Sequence, residues 1–180
     1  MGAKFLTYLV SPLVVSVVAI SATSAQTKIT NQSKVAINGI GSIRVGMTVA
    51  EASRASDTKL VGKIEPNCYY VQPQNVPKGL GFMVTDGRIA RVSVYEKSHI
   101  TTLSGAKIGD TEARIKALYP GQIKVSPHKY TGDRGGHYLT YVPKDKSDRN
   151  YRIVFETDGK RVLRFRSGKL PEVEYVEGCS

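Results

Sequence analysis

Hydrophobic spacing changes period along the chain, and it does so twice in the same order. "VGMTVAEASRAS" (45–56) and "IGDTEARIKALY" (108–119) align without a gap; each opens apolar-Gly-x-Thr and continues at helical spacing. In the first, Thr48 and Glu51 stand at the T-x-x-E spacing of a capping box, where hydroxyl and carboxylate each satisfy a backbone amide at the helix start. In the second, Asp110 and Glu112 put negative charge where the helix dipole favours it. Ile115, Leu118 and Tyr119 follow i, i+3, i+4 spacing, which predicts one buried face, and Pro120-Gly121 ends the helix.

After each helix the period falls to two. "CYYVQP" (68–73) lines up with "HYLTYVP" (137–143) as a strand that ends at proline, so Cys68 and His137 hold equivalent places. "GFMVTDGRIARVSV" (81–94) matches "YRIVFETDGKRVLRFR" (151–166), both with Thr-Asp-Gly-basic between alternating apolar runs, the pattern of a tight hairpin. In the second hairpin Val154, Val162, Leu163 and Phe165 are expected to pack, with Arg161, Arg164 and Arg166 facing solvent. The expectation is an α+β fold of two tandem helix-plus-antiparallel-sheet repeats, 26–103 and 104–180, with one sheet per half or a single shared sheet.

Gly46-Met47-Thr48 leading into a helix and then an antiparallel sheet resembles the outer-membrane assembly lipoproteins of the BamE/SmpA type. Tandem duplication of such a unit is similar to the β-lactamase inhibitor protein. The resemblance covers most of the chain after residue 25, as element order plus one short motif per half. It implies the tandem α+β fold, with either an inhibitor-like binding role or a part in outer-membrane assembly. From Cys68 through "EVEYVEGCS" the chain also looks like exported bacterial proteins of unassigned function.

The first 25 residues carry Lys4 as their only charge, then an apolar run from Phe5 to Ile20 and the small residues "SATSA". That is the order of a cleaved secretory signal peptide, with Ala25 the last residue removed; the run is too short, and too broken by Ser11-Pro12, for a transmembrane helix. Composition then matters through charge. The chain has 26 Lys and Arg against 15 Asp and Glu, a net +11, and loss of the leader removes one unit of it. Such a surplus points to an acidic protein or an anionic envelope component as partner. Nucleic acid is set aside by the export signal and by the lack of any binding motif. Cys68 and Cys179 are the two cysteines, and in an exported chain they are expected to pair.

Candidate chemistry gathers in "SPHKYTGDRGGHYLTYVP" (126–143). Ser126, His128 and Asp133 have the residue types of a hydrolytic set, but they crowd into one loop with no nucleophile-elbow pattern. His128, His137 and Asp133 could ligate a metal, yet the H-x8-H spacing matches no common zinc pattern. A small hydrolase or metalloenzyme is thus the alternative, and the leading expectation is a non-enzymatic module with no catalytic residues, metal or cofactor. Residues 126–136 exceed what the first half has at this point, and they read as a glycine-built turn suited to contact with a partner. The binding residues expected are His128, Lys129, Tyr130 and Arg134 in that loop, with Arg161, Arg164 and Arg166 on the hairpin. "KDKSDRN" (144–150) reads as a solvated loop, "NQS" at Asn31 as a chance sequon, and "PEVEYVEGC" as an edge strand fixed by the disulfide. The partner's identity and the oligomeric state are open at this level.

Overall fold

A computed structural model describes residues 1–2, 28–75 and 77–179; beyond its first two residues, the leader expected over 1–25 lies outside the described residues. Strands β1 (Lys34–Ala36), β2 (Gly39–Ile40) and β3 (Ile43–Arg44) precede helix α1 (Val49–Ala55), and β4 (Leu60–Val61), β5 (Cys68–Pro73), β6 (Leu80–Thr85) and β7 (Arg88–Val94) follow it. After β8 (Thr101–Thr102) come helix α2 (Glu112–Leu118), β9 (Ile123–Pro127), β10 (His137–Tyr141), β11 (Tyr151–Thr157) and β12 (Val162–Lys169). A small sheet has the order β3-β2-β1-β8, and an eight-stranded sheet the order β4-β5-β6-β7-β12-β11-β10-β9.

The fold class is therefore mostly β, which corrects the α+β repeat expected from the helical segments. Each helix has only seven residues. The eight strands form one continuous sheet because β7 and β12 pair antiparallel, Phe165 opposite Val94 and Arg166 opposite Ser93. Neither half builds a helix-covered sheet of its own. Strands of two or three residues, such as β2, β3 and β4, are too short to show a period, and that is where strand content escaped the pattern.

Within this frame the local signals fold as their chemistry dictates. Thr48 Oγ1 accepts from the Glu51 amide at 3.2 Å, and the Glu51 carboxylate accepts from the Thr48 amide at 2.8 Å, a complete capping box. Thr111 caps α2, and Ile115 and Tyr119 are buried as their spacing predicts. Asp86 and Gly87 both adopt positive φ, 51° and 72°, the backbone of a two-residue hairpin turn.

One face of the large sheet carries the core. Phe82, Ile89, Phe155 and Phe165 are fully buried there, under Ala52 of α1, Ile115 of α2 and Val35 and Ile40 of the small sheet. The Ser167 hydroxyl ties β12 to the small sheet by donating to the Ala36 carbonyl at 2.6 Å. In the second hairpin a bulge opposite Glu156–Thr157 leaves Leu163 outside the ladder. Val162 and Phe165 therefore both face the core although three residues apart, and Leu163, expected to pack, is exposed.

The opposite face is crossed by the C-terminal segment, which is not the edge strand expected. After β12 the chain makes a 3-10 turn at Glu172–Glu174 and runs back over the sheet to the Cys68–Cys179 disulfide. Val173 is fully buried against Tyr138 and Val154. Arginine side chains, rather than a strand ladder, take up carbonyls of this segment. Arg166, expected to face solvent, is buried beneath it.

Candidate functional site

The second face of the sheet collects charge. Arg91 comes from β7, Arg164 and Arg166 from β12, and Glu156 from β11. Antiparallel register sets Glu156 opposite Arg164, and the alternation of strand side chains puts all four on the side away from the core. Glu156 is only 5% exposed. Its carboxylate accepts from Arg164 Nε at 2.5 Å, from Arg166 Nη1 and from the ring nitrogen Nε2 of His128 at 3.3 Å. Burial alone would raise this carboxyl's pKa; the Arg166 charge and the Arg164 hydrogen bond outweigh it and hold the group below its ordinary value. His128 Nδ1 accepts from the Tyr130 amide at 3.2 Å, which assigns the ring proton of neutral His128 to Nε2, pointing at Glu156. The imidazole stacks on Tyr138 with centroids 4.5 Å apart.

Above this layer lies the C-terminal segment. Arg91 donates to the carbonyls of Glu172 and Tyr175 at 3.2 and 3.0 Å, to Tyr70 Oη at 3.0 Å and to Ser93 Oγ at 3.2 Å. Burial pulls its guanidinium below the ordinary arginine value, with the Tyr70 phenol acting the other way. Arg166 Nε donates to the Val173 carbonyl at 2.5 Å. Farther along, Glu177 accepts from Tyr130 Oη at 2.6 Å and from Lys129 Nζ; the shared hydrogen bond lowers the carboxyl's pKa and raises that of the ammonium. Gly178 sits at φ +72°, and a Cβ there would fall 2.1 Å from Tyr70 Oη, so this position admits no side chain while Tyr70 stays in place.

Between the segment and β7 and β12 an open cleft of about 150 Å³ remains. Arg164 and Arg91 line its floor, and Tyr70, Tyr95 and Tyr175 its rim. The arginines differ in what they have left to offer. Arg91 uses all three guanidinium nitrogens. Arg166 is buried under Val173. Arg164 is half exposed, engages Glu156 through Nε, and its two terminal nitrogens have no partner among the described residues. A fixed guanidinium with its fork open to solvent can take a carboxylate, sulfate or phosphate oxygen pair.

The expected binding residues divide into three groups. His128, Lys129 and Tyr130 meet Glu156 and the C-terminal segment, and Arg164 and Arg166 join the same network. Arg134 is brought only to the Tyr130 carbonyl and to Asp133 in its own loop. Arg161 donates to the Gly109 carbonyl at 2.7 Å, at the start of α2, as Arg88 donates to Gly46 at 2.7 Å beside α1; it tethers a turn. Ser126, His128 and Asp133 are not brought together, since His128 uses both ring nitrogens elsewhere and Asp133 faces Arg134 on the surface. His137 meets Glu112 at 2.9 Å rather than His128. No group of three or more His, Cys, Asp or Glu that could hold a metal occurs among the described residues.

Arg91, Glu156, Tyr70, Tyr95, Tyr175 and Glu177 belong to the site without having been singled out from the sequence. Hairpin alignment on Thr-Asp-Gly sets Arg91 against Leu163 rather than Arg164, so the repeat does not single it out. Comparison of the chain with protein-family models, with curated proteins and with solved structures returns no match.

Proposed function

We propose that this chain is an exported, non-enzymatic binding module that holds an anionic partner, an acidic protein or an anionic envelope component, on the arginine-bearing face of its eight-stranded sheet. The observation that carries the reading is Arg164. It is anchored by Glu156 through one nitrogen and offers its remaining fork to a tyrosine-rimmed cleft. Tyrosine and arginine are the residue types that most often anchor interfaces, and the net positive charge steers anions toward them. The Cys68–Cys179 disulfide suits an oxidising compartment, and no helix among the described residues is long and apolar enough to cross a membrane.

The test is retention of envelope extract on the immobilised mature protein, with Arg164→Glu as the comparison. Material held at low salt, released as ionic strength rises and absent with Arg164→Glu, is the expected result. Absence of any retained protein or glycan at low salt would count against the reading.

A further inference from the structure

The cleft at Arg164 does not stand alone. A second depression of about 300 Å³ adjoins it, lined by Gly62, Gln72, Gly81 and Val71, and the two share Tyr70 and Tyr95. Tyr95 is held in place by a seat of its own. A Cβ on Gly81 would lie 3.3 Å from Tyr95 Cε2, so the ring rests over the bare backbone of that glycine. Tyr70 is fixed by Arg91 from one side and by the close approach of Gly178 from the other. The result is two adjacent subsites divided by two positioned tyrosines. One holds Arg164 beside the carboxylates of Glu156 and Glu177, each already paired with a cation; the other is uncharged and carries the Gln72 amide.

What fits such a groove follows from what it lacks. β7 is paired with β6 and β12, and β12 with β7 and β11, so the floor of the first subsite has no unpaired strand edge to which an extended peptide could add. The second reaches the edge strand β4, which at two residues offers an extended peptide little to add to. The nearby carbonyls of Glu172, Val173 and Tyr175 are already engaged by Arg91 and Arg166. Recognition must come from ring faces, phenolic hydroxyls, one amide and one guanidinium fork. Each subsite is at or below the low end of ordinary small-molecule pockets, room for one ring of a longer chain that continues over the surface.

We infer that this groove binds an acidic oligosaccharide: Arg164 takes the carboxylate of a uronate-type unit, and Tyr70, Tyr95 and Gln72 seat the uncharged sugar beside it. The inference rests on the anion-binding reading above and names its ligand class. Tyrosine offers an apolar ring face and a hydroxyl together, which suits a sugar's mixed surface, and the arginine fork matches a carboxylate in two hydrogen bonds.

The experiment is calorimetric titration of the mature, oxidised protein with three probes. They are an alternating glucuronate–N-acetylglucosamine oligosaccharide, its carboxyl-reduced neutral form, and a glutamate-rich peptide of similar length. The oligosaccharide is expected to bind, with the neutral form and the peptide each at least roughly tenfold weaker, the worth of one good charged contact. Arg164→Gln and Tyr95→Ala should each reduce its affinity by a similar factor while thermal unfolding shows both variants folded. Tyr95 is outside the Glu156 network, so it keeps the test meaningful if Arg164→Gln disturbs that network. Equal binding of the neutral form, or unchanged affinity in both variants, overturns the inference. Preference for the peptide with dependence on Arg164 overturns it too, and leaves the anion-binding reading standing. No binding of any probe, together with nothing retained from envelope extract, overturns both.

Discussion

Replacing Glu156 with glutamine isolates the electrostatic centre of the open face. The substitution keeps shape and most hydrogen-bonding capacity but removes the charge that faces Arg164, Arg166 and the Nε2 proton of His128. Arg166 is 7% exposed and lies under Val173, so it cannot recover water when its partner is neutralised. Breaking one side of a buried pair costs about 3–5 kcal/mol. Arg164, being half exposed, adds little to that figure. For a chain of this size each kcal/mol moves the unfolding midpoint by roughly 2–4 °C, so a fall of about 10 °C is expected at neutral pH. Circular dichroism melts of wild type and Glu156→Gln read it directly. The pH dependence carries a second check. The folded carboxyl titrates below its unfolded value, so its contribution is fully present above the ordinary carboxylate range and is lost as pH falls through the folded pKa. The gap between the two proteins should accordingly narrow on the acid side. A double replacement, Glu156→Leu with Arg166→Met, should recover most of the loss, because two buried charges are then absent rather than one unpaired. A Glu156→Gln midpoint within a degree or two of wild type, at all pH values, would refute the reasoning.

Four further outcomes follow from the fold. Unreduced mature protein should react with no equivalent of a thiol reagent, and Cys179→Ser should lower stability by roughly 3–5 kcal/mol, the scale for opening a closed loop spanning 111 residues, read by urea unfolding. Gly178→Ala should destabilise more than Gly121→Ala: both positions have positive φ, but only Gly178 would drive a Cβ into Tyr70, so equal melting points would contradict the tail's placement. Thr48→Ala should cost about 1 kcal/mol by loss of the capping box, measured by the same unfolding assay. Tyr119→Phe should cost on the order of 1 kcal/mol, because it leaves the buried Thr102 hydroxyl without its 2.8 Å partner.

Legibility in the sequence tracked how local each feature is. Both helices, their caps, the Asp86-Gly87 turn and the strands at Cys68 and His137 are written in spacings of two to four residues, and the fold has them there. The Cys68–Cys179 bond was legible from the cysteine count and the expected export signal. Fold class was not, because it depends on strands too short to carry a period and on the β7–β12 pairing between distant segments. Bulging at Leu163 turned that residue outward, and the tail crossing the open face, not the bulge, buried Arg166. Glu156 escaped notice because its partners come from distant segments. A lone acid in an apolar strand means little until two arginines of β12 and a histidine of the 126–136 loop are folded around it. The C-terminal segment looked like an edge strand since its composition suits one. Its actual course is set by Arg91 and Arg166, whose reach across the sheet no sequence spacing records.

Site-specific photo-crosslinking tests the central claim most directly. A photoreactive residue at Tyr95, on the rim of the cleft, and another at Leu103, exposed beside the small sheet, would be compared in mature protein exposed to envelope extract. Crosslinks from Tyr95 that disappear at high salt and in the Arg164→Glu background, with none from Leu103, are the expected result. Crosslinks from Leu103 alone, or Tyr95 crosslinks indifferent to both salt and Arg164, would contradict an anionic partner held on the open face of the sheet.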